Sequence, residues 1–141
     1  MATPIVLKNC YLNVDSNDLS TYVRSVTVNV EYDEQEATRM GNAAHWSTPG
    51  LQNWSIEVEC NQDYTDNLLN EILDGLVGKA AVLAVVVKPN GDTTSAANPK
   101  WTSNGRIFAH NPINGSVGDL ATVSFTIKPG DGTALVRAVA D

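Results

Sequence analysis

The chain is poor in the residues from which metal centres and disulfide frameworks are built. It has 2 cysteines and 2 histidines in 141 residues. Cys10 and Cys60 are too few and too far apart for a disulfide framework or for the closely spaced ligand pairs of a zinc site. Neither His45 nor His110 has a potential partner ligand two to four residues further on. We therefore expect free thiols, with Cys60 buried, and neither a metal nor another cofactor.

Basic residues are also scarce, with 9 Lys and Arg against 16 Asp and Glu and a net charge of -7. This balance argues against a protein that holds nucleic acid by its phosphates, although it leaves room for one that only contacts DNA in passing.

Long apolar segments are missing as well. The longest apolar run, Ala80–Val87, is far shorter than the roughly 20 residues of a membrane-spanning helix, so we expect no membrane partner and interpret the run as a core strand covered on both faces. The first residues, MATPIVLKNC, lack the basic and apolar segments of a secretory signal, so we expect the protein to fold where it is synthesised.

What the sequence does contain is alternation of apolar and polar residues. Residues 1–141 are enough for a single domain, and the pattern predicts about seven strands. We expect a mainly β fold, a β-sandwich or barrel with one flanking helix over about 64–77 and a long inter-strand loop over 33–50. The first two strands are expected to form a hairpin, and Asp63 or Thr65 to cap the helix. The predicted strands are Ile5–Val14, Tyr22–Tyr32, Leu51–Gln62, Ala80–Lys88, Trp101–His110, Leu120–Lys128 and Thr133–Val139.

Within these strands one face is apolar and the other is polar. Trp54, Ile56, Val58 and Cys60 alternate with polar and acidic residues, which places Trp54 in the core. The polar side of the same strand carries Glu57 and Glu59, two carboxylates that a glycosidase could also use. No pattern indicates a cleft around them, so a solvated strand face is the better interpretation. Together with the absence of nucleophile-elbow and phosphate-loop motifs, this predicts a protein without catalytic activity.

Two further patterns have alternative explanations. The acidic run Asp33–Glu36 lacks the ligand spacing and glycine of a calcium loop, so a solvated segment is favoured. Trp46, Trp54 and Trp101 could stack against sugar rings. With Trp54 in the core, only Trp46 and Trp101 remain for that purpose, and a carbohydrate-binding β-sandwich stays open as an alternative.

The 33–50 segment is much longer than a connection between two strands requires. It carries Met40, Ala43, Ala44 and Trp46, apolar side chains whose exposure in an isolated monomer is unfavourable. Burying Trp or Met against a partner is worth roughly 1.5 to 3 kcal/mol each. The segment is therefore either an arm that docks on a partner or a flap that covers its own sheet, and composition does not decide between the two.

The order of these parts resembles that of the major tail tube proteins of long-tailed, siphovirus-like bacteriophages. The phrases that carry the resemblance are GLQNWSIEVECNQDY before a helix, VVVKPNGDTTSAANPKW, and HNPINGSVGDLATVSFTIKPGDG, and it extends from Val26 to Val136. A tube or ring protein of a contractile injection system would share the same pattern.

The resemblance implies a homo-oligomer of stacked, usually hexameric rings whose joined sheets line a channel for viral DNA. It also implies contacts with other tail proteins (tape measure, terminator and distal tail) and a place in the virion tail after assembly in the host cytoplasm. Lys128 departs from the acidic and hydroxyl pattern and would lie at a ring edge or beside an acid. The residues expected to line the channel are Asn29, Glu31, Asn53, Ser55, Glu57, Glu59, Thr122, Ser124 and Thr126. Those expected to contact a neighbouring subunit are Asp33, Glu34, Met40, Ala43, Ala44, His45 and Trp46.

Overall fold

Residues 6–140, which the computed structural model describes, form one antiparallel sheet of eight strands and one helix. The prediction of a mainly β domain with a single flanking helix is confirmed. The elements are β1 Tyr11–Val14, β2 Asn17–Asp18, β3 Val23–Glu36, β4 Ser47–Asn61, α1 Leu69–Leu76, β5 Leu83–Lys88, β6 Lys100–His110, β7 Thr122–Pro129 and β8 Val136–Ala138.

The strand order β2-β1-β5-β6-β7-β4-β3, with β8 added beside β6, describes one continuous sheet. It is strongly curved, because Val28 of β3 and Val87 of β5 line the same groove although three strands separate them in the sheet. The concave face holds the core, in which Trp54, Ile107 and Phe125 are each at most 3% exposed. A single curved sheet thus replaces the two stacked layers of a sandwich.

The prediction that the first two strands, Ile5–Val14 and Tyr22–Tyr32, form a hairpin is wrong. β1 pairs with β2 and β5, whereas β3 pairs with β4. The chain turns sooner than the sequence suggested, since Asp15 and Ser16 both have positive φ, at 51° and 67°. Positive φ at both central positions is the geometry of a type I′ turn, which joins antiparallel strands through two residues. The polar cluster after Val14 therefore contains a complete hairpin of its own.

The helix is shorter than the predicted 64–77 span. Asn67 has φ 65°, which breaks the helical path just before α1 begins at Leu69. The Asp63 carboxylate accepts a hydrogen bond of 2.9 Å from the Thr65 backbone N–H, so this residue closes a turn instead of capping the helix. The apolar spacing still has its expected effect, because Leu69, Leu73 and Leu76 are buried in the core.

Strand β5 is covered on one face only, contrary to the prediction. Leu83, Val85 and Val87 point into the core, whereas Ala84 is exposed and Val86 is half-buried. The buried leucines of α1 belong to the same core as the inner residues of β5, so among the described residues only the inner face of the strand is fully buried.

Both cysteines are free thiols in different environments. Cys10 is half-buried, and its Sγ donates to the Lys88 carbonyl oxygen at 3.2 Å. Cys60 is fully buried, and burial, together with the neighbouring Glu59 carboxylate, raises its pKa to about 12. At neutral pH the Cys60 thiol is therefore protonated and inaccessible. Burial also raises the pKa of the Cys10 thiol, so Cys10 differs from Cys60 chiefly in being accessible.

Candidate functional site

The convex side of β4 and its two neighbours carries a continuous row of polar side chains. Glu57 lies between Thr27 of β3 and Thr126 of β7, and Glu59 lies between Ser25 and Ser124. Further along the β3–β4 pair, Asn29 faces Ser55 and Glu31 faces Asn53. We call these residues the polar face. Its members are Ser25, Thr27, Asn29, Glu31, Asn53, Ser55, Glu57, Glu59, Ser124 and Thr126.

Eight of the nine residues expected to line a channel lie on this surface. The ninth, Thr122, does not contribute to it. Thr122 is only 9% exposed, and its hydroxyl oxygen accepts a hydrogen bond of 3.0 Å from the Asn114 side chain. The loop that precedes β7 covers it, which strand alternation alone does not indicate. Ser25 and Thr27 also lie on this surface but were not among the predicted residues. Their alternation with Val26 and Val28 indicates the polar face of the strand.

The charges of the polar face are mostly free of strong pairing. Arg24 reaches Glu59 at 3.4 Å, but both side chains are about half exposed, so the pair is weak. Glu57 is exposed among hydroxyl groups. Lys128 is exposed on the same face of β7 as Thr126, lines a cavity together with Glu31 and Glu57, and lies opposite Arg106 of β6. The surface therefore carries carboxylates on β3 and β4, with the ammonium group of Lys128 beside them on β7.

The segment expected to be a loop over 33–50 is largely a β-hairpin. Glu34, Gln35 and Glu36 pair with Pro49, Thr48 and Ser47, so only residues 37–46 connect the strands. Alternation is lost here because both faces of the hairpin are solvated, which is why the sequence pattern indicated a loop. We call residues 32–52 the hairpin arm.

The arm leaves the sheet at a β-bulge. Tyr32 pairs with Gln52 and Glu34 with Pro49, so Asp33 faces both Gly50 and Leu51. A bulge of this kind bends the strand and increases its twist. A Cβ atom at position 50 would lie 3.1 to 3.3 Å from atoms of Gln35 and Asp33, which explains why glycine stands there.

The end of the arm is ordered by its own contacts. The Ala37 N–H donates to the Trp46 carbonyl oxygen at 2.7 Å, and the Trp46 N–H donates to the Thr38 hydroxyl oxygen at 2.8 Å. Arg39 lies over the Trp46 ring at 4.9 Å, and His45 Nδ1 lies 2.9 Å from Glu36 Oε1. The tip therefore has a defined shape without support from the sheet.

Beyond Tyr32 the arm is exposed except at Ala37, Gly50 and Gln52, which are half-buried. The Trp46 side chain remains 44% exposed and that of Met40 is fully exposed. The possibility that this segment covers its own sheet is therefore not realised. All residues expected to contact a neighbour lie exposed on the arm: Asp33, Glu34, Met40, Ala43, Ala44, His45 and Trp46.

An apolar groove of about 510 Å³ opens where the curved sheet brings β3 towards β5 and β6. Val26, Val28 and Trp101 are only partly buried there, and Val30 is 46% exposed. Because these strands are distant in sequence, no local pattern predicts the groove. We call it the apolar groove, lined by Leu7, Cys10, Val26, Val28, Val30, Val87, Lys88, Pro89 and Trp101.

The three tryptophans do not form one sugar-binding platform. Trp54 is 2% exposed, and its Nε1 donates to the Thr133 carbonyl oxygen at 3.1 Å. Trp46 lies at the arm tip, whereas Trp101 lines the apolar groove. The carbohydrate-binding alternative loses the paired aromatic surface on which it depended.

Other side-chain chemistry at these surfaces is limited. Glu34 accepts from Ser47, and Glu36 lies beside His45, so the acidic run is engaged within the arm. Within residues 6–140, no group of three or more His, Cys, Asp or Glu side chains could hold a metal ion. The same residues contain no helix long and apolar enough to cross a membrane.

Comparison with known proteins reveals similarity at the level of structure only. No family model and no curated protein sequence matches the chain. A chain from the sheath/tube terminator of PVC, an extracellular contractile injection system, superposes with a TM-score of 0.72 at 14% identity, covering 97% of this chain and 98% of that one. A chain from the PVC sheath–tube complex gives a TM-score of 0.69 at 15% identity, with 97% and 93% covered.

A third similar structure comes from the tail of an empty gene transfer agent particle with C6 symmetry. It has a TM-score of 0.55 at 13% identity, with 85% of this chain and 83% of that one covered. The fold is therefore one found among tail tube and terminator proteins, and at these identities the likeness extends to the fold alone.

Proposed function

We propose that the chain is a structural subunit of a siphovirus-like bacteriophage tail tube, whose stacked, hexameric rings enclose a channel for viral DNA. The observation that supports this function best is the continuous polar face on β3, β4 and β7, next to an arm with exposed apolar residues. A monomer has no use for an apolar arm held in water, whereas a subunit of a polymer does.

The free edge of β3 provides a way to close such a ring. Within residues 6–140 this strand of 14 residues pairs with β4 alone, so its other edge has unpaired backbone groups. Long open edges tend to pair with another chain. Six copies contributing four strands each, β3, β4 and β7 with the adjacent β6, spaced about 4.8 Å apart and tilted about 40°, would form a cylinder roughly 48 Å across.

The charge of the polar face suits a channel through which DNA must move. Duplex DNA carries about one negative charge per 1.7 Å, so basic walls would bind it and slow its transit. Glu31, Glu57 and Glu59 repel phosphates and outnumber the ammonium group of Lys128 that lines the same surface, and the hydroxyl groups beside them offer only weak, uncharged contacts. The polar face therefore lines the channel in our proposal.

The assembly would have other tail components as partners, including tape measure, terminator and distal tail proteins, and would be located in the virion after assembly in the host cytoplasm. The C6 symmetry of the gene transfer agent tail supports six-membered rings. A tube or terminator subunit of a contractile injection system is the second candidate, and the superpositions on the PVC chains favour it. Both candidates assemble through the same surfaces.

Electron microscopy of the purified full chain at increasing concentration tests the proposed function. We expect rings that stack into tubes with an open centre, and a cryo-EM map in which Glu57 and Glu59 point towards the axis. A chain that stays monomeric at every concentration would contradict the tube, and retention of that monomer on glycan resins would favour carbohydrate binding. Tubes whose carboxylates point outwards would support the proposed assembly but refute the assignment of the polar face to the channel wall.

Reversal of one charge on the polar face is expected to make the channel retain DNA. In Glu57→Lys tubes every copy places an ammonium group among the hydroxyls of Thr27 and Thr126, and the repeated charges bind phosphate. Tubes assembled with a fluorescent DNA duplex and then sedimented should carry the duplex down at low salt and release it at high salt, whereas unmodified tubes should not.

Asp66→Lys is the matched control, because it makes the same charge change at an exposed residue in the turn before α1. We expect no retention of DNA by that variant. Equal retention by both variants would show that overall charge governs binding, and would remove the assignment of the polar face to the channel.

A further inference from the structure

We propose that the apolar groove is the receptor for the tip of the hairpin arm of a second copy of this chain. This inference rests on the proposed function, since it identifies the surface through which the copies would join. It assigns a role to residues outside the polar face and the arm, chiefly Val26, Val28, Val30 and Trp101.

The groove is apolar and incompletely filled by its own chain. Val30 is 46% exposed and Leu7 is 61% exposed, although both face a concave surface lined by further apolar side chains. Covering such side chains stabilises a complex by about 25 cal/mol per Å² of apolar area removed from water. The tip has matching features, because Met40 and Trp46 project from a turn whose shape is fixed by internal hydrogen bonds.

A tip cannot reach the groove of its own molecule. The groove includes Val30, whereas the arm continues as paired strand to Glu36 and Ser47. Six further residues of strand place the end of the pairing roughly 20 Å beyond Val30. The ladder of backbone hydrogen bonds keeps the arm from folding back, so only the tip of another copy can enter.

The charges of the two surfaces are complementary. Among the described residues, Lys88 is the one charged side chain that lines the apolar groove. Its ammonium group lies 4.8 Å from the Tyr11 ring centre and donates to the Asp92 carbonyl oxygen at 3.2 Å. On the arm, the carboxylates of Asp33, Glu34 and Glu36 lie on the paired strands directly behind the tip, whereas the tip itself carries the guanidinium of Arg39 over the Trp46 ring. Complementary charge of this kind orients a partner and disfavours the reversed arrangement.

The contact joins different surfaces of two identical chains and is therefore heterologous. Such a contact leaves each copy with one free tip and one free groove, so it continues into a closed ring or an open helical polymer. A symmetric dimer, in which each tip fills the other groove, would stop at two copies. The heterologous contact that the tube requires therefore predicts a series of polymers, whereas a symmetric contact predicts dimers alone, and an experiment can tell the two apart.

Cys10 offers a direct test, since this native thiol lines the groove while Cys60 is buried. A cysteine placed in the tip by Ala44→Cys leaves Met40 and Trp46 intact. Assembled Ala44→Cys protein is treated with a short bismaleimide or with diamide at alkaline pH, because burial raises the pKa of the Cys10 thiol and the thiolate is the reactive form. We expect a ladder of covalent dimers, trimers and larger species on denaturing gels.

The ladder should disappear in Ala44→Cys with Cys10→Ser. A triple variant, Cys10→Ser with Ala44→Cys and Val117→Cys, tests the exposed apolar loop before β7 as a rival receptor. Cross-linking there would overturn the groove assignment. Met40→Cys provides a second attachment point in the tip. Tubes that form normally but cross-link at neither tip position refute the groove and leave the proposed function standing. Covalent dimers without larger species would also refute the continuing contact, and failure of the unmodified protein to assemble would refute both proposals.

Discussion

A protein whose arm tip is replaced by a tight turn folds normally and forms no tubes. The structure shows how to make this variant, because Glu36 and Ser47 are directly paired. Residues 37–46 are removed and an Asn-Gly pair joins the strands as a type I′ turn. Met40 and Trp46 are lost with the tip, and their burial is worth roughly 1.5 to 3 kcal/mol each. Each contact between copies should weaken by roughly two to four orders of magnitude.

The monomer is expected to be unaffected, because the tip makes its hydrogen bonds within the arm. Its free energy of unfolding in urea should change by less than about 0.5 kcal/mol. Ala43→Ser is the matched control, since it changes an exposed tip residue and retains both anchors. Tubes of normal length from the shortened variant, or equal loss of tubes in both variants, would remove the arm from the assembly mechanism.

The largest expected effect on stability comes from adding one methyl group at Gly105. A Cβ atom there would lie 2.6 Å from Ile127 Cγ2, 2.9 Å from the Lys128 carbonyl oxygen and 3.1 Å from the Trp54 ring. The carbonyl belongs to the paired strand β7 and cannot move without breaking the ladder. Gly105→Ala should therefore cost about 1 to 3 kcal/mol and lower the Tm by roughly 3 to 10 °C.

Gly75→Ala is the control with the opposite sign. Gly75 lies within α1, is exposed, and has no atom within 4 Å of the position a Cβ would take. Alanine restricts the unfolded chain more than glycine does, so this variant should gain roughly 0.5 to 1 kcal/mol. Thermal unfolding of both proteins measures the difference. A Gly105→Ala protein as stable as the unmodified chain would mean that β6 and β7 pack less closely than described.

The fold was predictable where a strand has one wet face and one dry face. Alternation places Trp54, Val58 and Phe125 in the core and their neighbours outside, and the structure agrees because burial of one face selects the register. The same rule predicts the members of the polar face on β4. It works from local sequence alone, since each strand carries the whole pattern within a few residues.

The remaining features depend on contacts that no local pattern encodes. The pairing of β1 with β5 joins segments about seventy residues apart, and a curved sheet creates the apolar groove from three separate strands. Thr122 looks like an exposed strand residue until the Asn114 side chain covers it. The arm was mistaken for a loop because strands without a buried face do not alternate, so only backbone pairing identifies them.

The bulge opposite Asp33 determines the direction in which the arm departs. A Cβ atom at position 50 would press on Gln35 and Asp33, so glycine lets the two strands stay close together at this bend. Should copies join tip to groove, this single backbone feature would set the rotation and advance from each protomer to the next. The pitch of a filament many subunits long would then depend on the angle of the bend at this β-bulge.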